Sequence, residues 1–424
     1  MYTGATLIDG AGGVSIGNAT IVVSAGRIEQ IGPGEDIRVP RGATVIPLDG
    51  KFVVPGLIDG HTHVERWTLP RYLAYGVTSV RDVGGDTDTL VALRSAVDAG
   101  EATGPRLFIS GAMIDGAPAT WPGATEVFKP EDARRAVDKL VLVDVAQVKV
   151  YTKVDRTLLT AVMDEAKTLS VPVTAHLGKI DAVSAAKLGV NSIEHLSGIV
   201  ESTVRNPAPL FKAHDDFFTG WIAFERGWAT LDSAALDQTA QALADLKVTI
   251  IPTLVQHQTY AHLEDAAYVA TLDLSGVPAD IQKDWDIPGL ADRARLKAAD
   301  YTALRRSRPI EDWFVGLYRQ KGGRVVAGTD SPNQLIAPGA SLHDELALLV
   351  AAGFTPKAAL LAATRDAARL MRADSLGVLK AGAPADFLVL SADPTVDIAN
   401  TKKIERVVQF GISKTPQELR ASWK

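Results

Sequence analysis

The chain has no cysteine among its 424 residues. Disulfides, thiolate nucleophiles and cysteine-ligated zinc are therefore excluded, and any bound metal must be held by nitrogen and oxygen. No apolar stretch approaches the ~18 residues of a membrane span, so no membrane partner is expected. There is no run of lysines and arginines, and 44 basic against 50 acidic residues leave a formal charge of −6. That balance points away from nucleic acid. The glycine-rich fingerprint of a dinucleotide-binding turn is also missing. The opening residues lack the basic-then-apolar pattern of a signal peptide, which is the expectation for a cytoplasmic chain. A mature periplasmic or secreted chain would read the same way.

What is present has the pattern of a large α/β protein with a smaller attachment. Residues 1–50 read as short strands, Ala5–Asp9, Thr20–Val23, Ile28–Ile31 and Thr44–Pro47, broken by Gly-rich turns. From residue 53 the pattern alternates short apolar strands with amphipathic stretches such as Glu131–Leu142 and Arg156–Leu169, the second with Asp155 as its N-cap. The expected strands are Val54–Ile58, Thr78–Asp82, Leu107–Ser110, Gln147–Tyr151, Val173–His176, Ser192–His195, Thr249–Leu254 and Val325–Thr329. Strands alternating with helices in this number suggest a (β/α)8, TIM-like barrel; a doubly wound open sheet is the structural alternative. Ala383–Leu390 and Arg406–Val408 read as strands again. Residues 1–52 and 375–424 are expected to form a small discontinuous β-sandwich domain around a barrel spanning 53–374. After Gln409-Phe410-Gly411-Ile412 the tail reads as helical.

With eight histidines in the chain, their positions are informative. His61 and His63 follow the first barrel strand, two residues apart on extended chain, so both rings can face one point. Lys149 lies inside the fourth strand, His176 and His195 end the fifth and sixth, and Asp330 ends the eighth. In a barrel the C-terminal strand ends converge on one mouth. Four imidazoles, a carboxylate and a lysine there make an N/O site suited to zinc or a similar divalent ion. A lone His-x-His is weak evidence, and a strand-end histidine is more often a hydrogen-bonded core residue. The joint placement on matching strand ends carries the argument.

Val54-Pro55-Gly56-Leu57-Ile58-Asp59-Gly60-His61-Thr62-His63 resembles the first-strand motif of the amidohydrolase superfamily. Gln147-Val148-Lys149-Val150-Tyr151 is similar to its carbamylated-lysine strand. Thr174-Ala175-His176 and Ser192-Ile193-Glu194-His195 resemble its fifth- and sixth-strand ligands, and Ala327-Gly328-Thr329-Asp330 its eighth-strand aspartate. Leu376 to Asp386 is similar to the segment that re-enters the β domain. The match is strongest to the binuclear group with prolidase-like, imidazolonepropionase-like and ochratoxinase-like enzymes. The resemblance implies two divalent ions, zinc foremost, with His61, His63 and Asp330 on one, His176 and His195 on the other, and a carbon dioxide-derived carbamate on Lys149 between them. It implies hydrolysis of a C–N amide bond in a dipeptide, N-acyl amino acid or ochratoxin-like aryl amide, with Asp330 moving the proton. The same centre could instead serve a cyclic amide, a lactone or a phosphotriester, and a metal-free scaffold protein is the rival of a different class.

Half of the aromatic residues fall between 200 and 320, among them Phe217, Phe218, Trp221, Phe224, Trp228, Tyr260, Trp313 and Tyr318. They read equally as the lining of a substrate pocket, as packing of long helical excursions or as an oligomer interface. His257 and Tyr260 follow the seventh strand closely, and Tyr151 stands two residues past Lys149; all three are candidate substrate contacts. His214, His262 and His343 end no expected strand. Asp82 reads as a supporting or ion-paired carboxylate. The expected partner is a small-molecule amide, and the chain is expected to form a homo-oligomer.

Overall fold

Short fully buried strands with strict two-residue alternation set the architecture. Val148-Lys149-Val150, Val173-Thr174-Ala175 and Ser192-Ile193-Glu194 are strands in which every residue is buried. The odd-face residues Val148, Val150, Val173, Ala175 and Ile193 join the apolar cluster that contains the helix residues Leu140, Leu159 and Val162. Lys149, Thr174, Ser192 and Glu194 therefore fall on the other face, because successive side chains in a strand point to opposite sides. One face is covered by helices, and the other carries the chemistry. The helices are Pro130–Leu142 and Arg156–Thr168 in the region read from periodicity, with Asp155 accepting from Leu158 N at 2.9 Å as the second one's N-cap.

The computed structural model describes residues 1–423. A parallel sheet runs in the order Thr125–Val127, Ile114–Gly116, Val148–Val150, Val173–Ala175, Ser192–Glu194, Thr249–Ile251, Arg324–Val325. A second parallel sheet holds Leu57–Thr62, Val77–Asp82 and Arg106–Phe108. Backbone hydrogen bonds connect the two. Val326 N extends the first sheet by donating to Ile250 O at 3.0 Å, and beyond it Gly60 N donates to Ala327 O and Asp330 N to His61 O, each at 2.9 Å, which joins the second. On the other side Ala146 N donates to Ile109 O at 2.8 Å.

Both chain ends meet in an eight-stranded sheet, in the order Ile412–Lys414, Ile404–Gln409, Phe387–Leu390, Phe52–Pro55, Tyr2–Leu7, Ile16–Ser24, Arg27–Pro33, with Ile46–Pro47 pairing beside Tyr2–Leu7. Phe387–Leu390 lies antiparallel to Phe52–Pro55, residue for residue.

Several expected elements differ in detail. The run Val54–Ile58 is two strands, divided at Gly56. Its N–H donates to Asp386 O, and a Cβ there would lie 2.1 Å from Thr78 Oγ1. The fifth and sixth strands stop one residue before His176 and His195, and the seventh stops at Ile251 because Leu254 opens a helix. The eighth covers only Arg324–Val325, and the chain beyond it is extended but irregularly bonded. Ile114–Gly116 and Thr125–Val127 are too short to show alternation and were not expected. Gln409–Ile412 forms a hairpin turn, with Phe410 and Gly411 both left-handed, before the helix Pro416–Arg420.

The terminal sheet is pinned to the parallel strands at Gly76, the turn that feeds Val77–Asp82. Gly76 has φ +79°, and a Cβ would come within 2.7 Å of Leu388 and 2.9 Å of Ile404. Gly76→Ala is expected to cost about 1–3 kcal/mol, from backbone strain plus overpacking. Thermal melts of the two proteins check this; an unchanged midpoint would mean the two units do not pack tightly here.

Candidate metal centre and substrate cavity

The centre is assembled from strand ends that are held by a polar interior. Arg81, on Val77–Asp82, is almost wholly buried. It donates to Glu194 Oε1 and Gly60 O, each at 3.0 Å, and to Ser192 Oγ at 3.1 Å. Thr174 donates to the same Glu194 carboxylate. The other oxygen of Glu194 lies 2.6 Å from His61 Nδ1. Burial alone would raise the Glu194 pKa, but Arg81 and His61 hold it well below the usual range, so it is ionised. An ionised carboxylate can only accept, which puts the His61 proton on Nδ1 and leaves a lone pair on Nε2.

The same logic applies to His63. Its Nδ1 is 2.7 Å from Gly84 O, a pure acceptor, so Nε2 again offers a lone pair. Both Nε2 atoms lie 3.2 Å from Asp330 Oδ1. Three lone-pair atoms facing one another make a set that a positive charge, a proton or a metal ion, would satisfy. His61 Nε2 and Asp330 Oδ1 are buried and have no hydrogen-bond partner, since their approach lacks hydrogen-bond geometry. Burial opposes charge on His63, yet Asp330 and Asp82 outweigh it and raise the ring's pKa, which is the same demand for positive charge. Asp330 is held well below the usual carboxylate range: burial would raise it, and His195 with the other imidazoles lowers it.

His195 Nδ1 lies 2.7 Å from Thr253 Oγ1. The His61 and His195 rings have centroids 4.3 Å apart, and those of His195 and His176 are 4.8 Å apart. Burial, then the neighbouring Lys149 for His176 and the neighbouring His61 ring for His195, holds both rings well below their ordinary pKa and so neutral. Neutral imidazoles are the form that binds metal. His176 Nδ1 is buried and unpartnered. One donor atom from each of His61, His195 and Asp330 lies within 4.8 Å of the others. Lys149, 1% exposed, is pushed down to about 8 chiefly by burial. Roughly a tenth of its amine is then neutral at pH 7, far more than for an exposed lysine, and a neutral amine can add carbon dioxide.

Backbone strain is found at several residues of the site. His195 has φ 56°, Asp330 φ 68° and Thr253 φ 48°. Non-glycine residues in the left-handed region cost about 1–3 kcal/mol each and persist where surrounding structure over-determines them. For Asp330 the clamp is Asp59, whose buried carboxylate accepts from Thr329 N at 3.1 Å and Thr329 Oγ1 at 2.7 Å. Burial pushes Asp59 up to about 7. Asp82 accepts from Val64 N and Gly84 N, and so shapes the loop that carries His63.

His63, Lys149, His176, His195 and Asp330 line a cavity of about 350 Å³, together with Tyr151, His257 and Tyr260. Tyr151 accepts from Trp121 Nε1 at 2.9 Å and its ring lies against His176. The aromatic residues of 200–320 divide. Phe217, Phe218, Trp221, Phe224 and Tyr260 wall the cavity, whereas Trp228, Phe314 and Tyr318 pack in the core and Trp313 is exposed. His214, which follows no strand, also lines the cavity, with Nε2 3.4 Å from Glu201. His343 does not. It is buried in the helix Ala340–Ala351, between Tyr75 O and Thr401 Oγ1. His262 bonds back to Gln258 O of the helix Leu254–Tyr260. The supporting roles of Glu194, Arg81, Asp59 and Thr253 were not read from the sequence. The polar members of the strand alternation were their only trace.

Comparison with known proteins agrees with this geometry. The stretch 52–412 matches the Amidohydrolase family. Curated relatives match locally: an adenine deaminase of Paracoccus denitrificans at 49% identity over 49 residues, 12% of this chain and 8% of that protein, and an imidazolonepropionase of Pseudomonas entomophila at 49% over 59 residues, 14% of each chain. The chain thus spans a small part of the length of these relatives. A solved structure described as a putative prolidase from Bifidobacterium longum is similar over 99% of this chain and 97% of its own, at 25% identity and a TM-score of 0.73. The chain belongs to the Amidohydrolase family.

Proposed function

We propose that this chain is a binuclear metal-dependent hydrolase of C–N amide bonds, on a (β/α)8 barrel whose arcs are the two hydrogen-bonded parallel sheets, with the terminal sheet as a β-sandwich-type domain built from both chain ends. The observation that carries the reading is that His61 Nε2 and Asp330 Oδ1 are buried without a hydrogen-bond partner, with His63 Nε2 3.2 Å from the same Asp330 oxygen. His61, His63 and Asp330 would hold one ion, and His176 and His195 the other, with Lys149 as a carbamate between them. Two divalent ions in this nitrogen-rich donor set, zinc foremost, would polarise the scissile carbonyl and make bound water acidic enough to attack near neutrality.

The remaining steps belong to the chain's own groups. Asp330, ionised and held by the Asp59–Thr329 contact, is placed to take a proton from the attacking water and return it to the leaving nitrogen. Amide nitrogen leaves poorly unless protonated, so this transfer matters most for amides. Tyr151 can donate to the carbonyl or carboxylate of a substrate. Tyr260, Trp221, Phe217 and Phe218 offer an apolar wall that excludes water and receives a hydrocarbon or aryl group. A hydrolysis screen of the metal-loaded protein over dipeptides, N-acyl amino acids, lactones and phosphotriesters tests the reading; turnover of lactones or phosphotriesters with no amide cleaved would replace it.

Metal analysis of the purified protein is expected to give two divalent ions per chain. Lys149→Ala is expected to lose at least one of them and nearly all activity, with partial recovery on adding short carboxylic acids. Retention of most activity by Lys149→Ala would rule out the bridging carbamate.

Asp330→Asn keeps the shape and a carbonyl ligand but cannot accept a proton. Its kcat on anilides or peptides is expected to drop by about 10²–10⁴-fold, or roughly 3–5 kcal/mol of barrier. Activated esters, whose leaving groups need no proton, are expected to lose less. Equal losses on both substrate types with metal retained would contradict the shuttle, and loss of metal would make Asp330 chiefly a ligand.

A further inference from the structure

The cavity has a one-sided charge. Among the described residues that line it, Asp330 is the only carboxylate, and it faces the imidazoles. The remaining polar lining includes Gln256, Asn333, Gln334, Arg293 and His257. Arg293 is half exposed, and its ion pair with Asp286 is long, at 3.5 Å.

His257 sits in a second cluster of titratable groups, behind the cavity wall. Its Nδ1 is 2.8 Å from Glu225 Oε1 and 3.8 Å from Glu311 Oε2. Glu225 comes from the helix Phe217–Trp228 and also accepts from Trp221 Nε1 at 3.1 Å. Glu311 comes from the helix Ala298–Gln320, where Arg308 bonds it at 2.5 Å and bonds Asp312 at 2.6 Å. From the helix Ala340–Ala351, Glu345 accepts from Val255 N. The donor atoms of Glu225, His257 and Glu311 lie close enough for a metal ion. Arg308 already bonds Glu311 Oε2, however, and the Glu225 contact already uses His257 Nδ1, so the cluster reads as a support for the ring. Glu311 Oε1 and His257 Nε2 are left buried and unpartnered, and of the two residues His257 is the one that lines the cavity.

We propose that His257 is a substrate-positioning residue: with Nδ1 committed to Glu225, its Nε2–H donates to a carboxylate of the substrate, and the cavity takes an N-acylated amide with an apolar or aromatic body and a free carboxylate in preference to a dipeptide with a free amine. This rests on the amide-hydrolase reading above and narrows its substrate class. Burial alone would strip the ring of charge, but Glu225 and Glu311 outweigh it and push the ring up to about 9, so both nitrogens carry protons at neutral pH. A neutral ring with its proton on Nδ1 would leave Nε2 an acceptor, and a carboxylate would be repelled. The free ammonium of a dipeptide finds no carboxylate partner on the lining apart from Asp330, which is occupied by the imidazoles. The aromatic wall has room for the apolar body.

The test uses N-benzoyl-phenylalanine, its carboxamide and the dipeptide phenylalanyl-phenylalanine as substrates of the metal-loaded protein. In parallel, calorimetry follows binding of the non-hydrolysable ketomethylene analogues of the first two. The free acid is expected to be favoured over the carboxamide by about 10- to 100-fold, mostly in KM and in the analogue's Kd, as for a hydrogen bond to a charged group. The dipeptide is expected to be the poorest of the three. In His257→Gln the acid-to-carboxamide ratio should collapse toward one, whereas a merely structural role would weaken both ligands alike and keep the ratio. Equal use of acid and carboxamide by the wild-type protein would overturn the proposal even if the variant does not fold, as would a folded variant that keeps the preference or a wild-type preference for the dipeptide. Acid-selective binding of the analogue with no amide turned over would support the positioning role while removing the hydrolase reading, so the two fail separately.

Discussion

The molecule's interior depends on the contact between Glu194 and its two partners, Arg81 and His61. A carboxylate in so dry a place costs several kcal/mol of lost hydration, which only close, well-directed partners offset. Arg81 supplies charge, and its guanidinium fork also reaches Gly60 O and Ser192 Oγ. One side chain thereby ties Leu57–Thr62, Val77–Asp82 and Ser192–Glu194 together, and Thr174 adds the neighbouring strand. The ordering passes outward to His61, whose ring has one tautomer and one orientation because Glu194 accepts from it. That is the arrangement by which outer carboxylates fix metal-binding imidazoles. It also bears on Lys149, where Glu194 favours the ammonium and burial, aided by Arg81, outweighs it.

Much of this was legible because the strand period is two. A lysine between two valines, or a glutamate beside an isoleucine, marks a strand whose two faces meet different surroundings. Eight of the parallel strands and the placing of His61, His63, Lys149, His176, His195 and Asp330 at or near their ends followed from that alternation together with the family motifs, whereas Ile114–Gly116 and Thr125–Val127 did not. What stayed hidden was non-local. Nothing in the local sequence around Arg81 says that it will meet Glu194, 113 residues away. The pairing of His257 with Glu225 and Glu311 likewise needs three helices to pack. Strand ends were overrun where a left-handed residue follows, at His195 and Thr253, since side-chain type alone does not announce the reversal. His214 escaped for a similar reason: it ends a short helix, Ala208–Ala213, and reaches the cavity by packing between Gly178 and Gly220.

The two halves of the cavity come from different kinds of structure. The donors at its floor sit at or just beyond strand ends, where backbone pairing leaves little freedom. The aromatic wall comes mainly from the long helical connections after the sixth and seventh strands. Several of those helices are capped by their own aspartates, Asp216, Asp232 and Asp265, each accepting a backbone N–H of the first turn. Local capping lets these excursions hold their shape with few ties to the strands beneath them. The wall can therefore change in sequence without disturbing the floor.

The antiparallel pairing of Phe52–Pro55 with Phe387–Leu390 has a consequence for biosynthesis. The edge of Phe52–Pro55 that Phe387–Leu390 will cover has no partner until the intervening chain of about 330 residues has been made, which at ~5–20 residues per second takes roughly 15 to 70 seconds. Throughout that interval a nascent chain carries an open, apolar strand edge of the kind that recruits other strands. The parallel strands can assemble meanwhile, because their partners arrive in sequence order. Strands from residue 387 onward then close a sheet begun by residues 2–33, so the edge that waits longest for its partner is one made early in this stretch of chain.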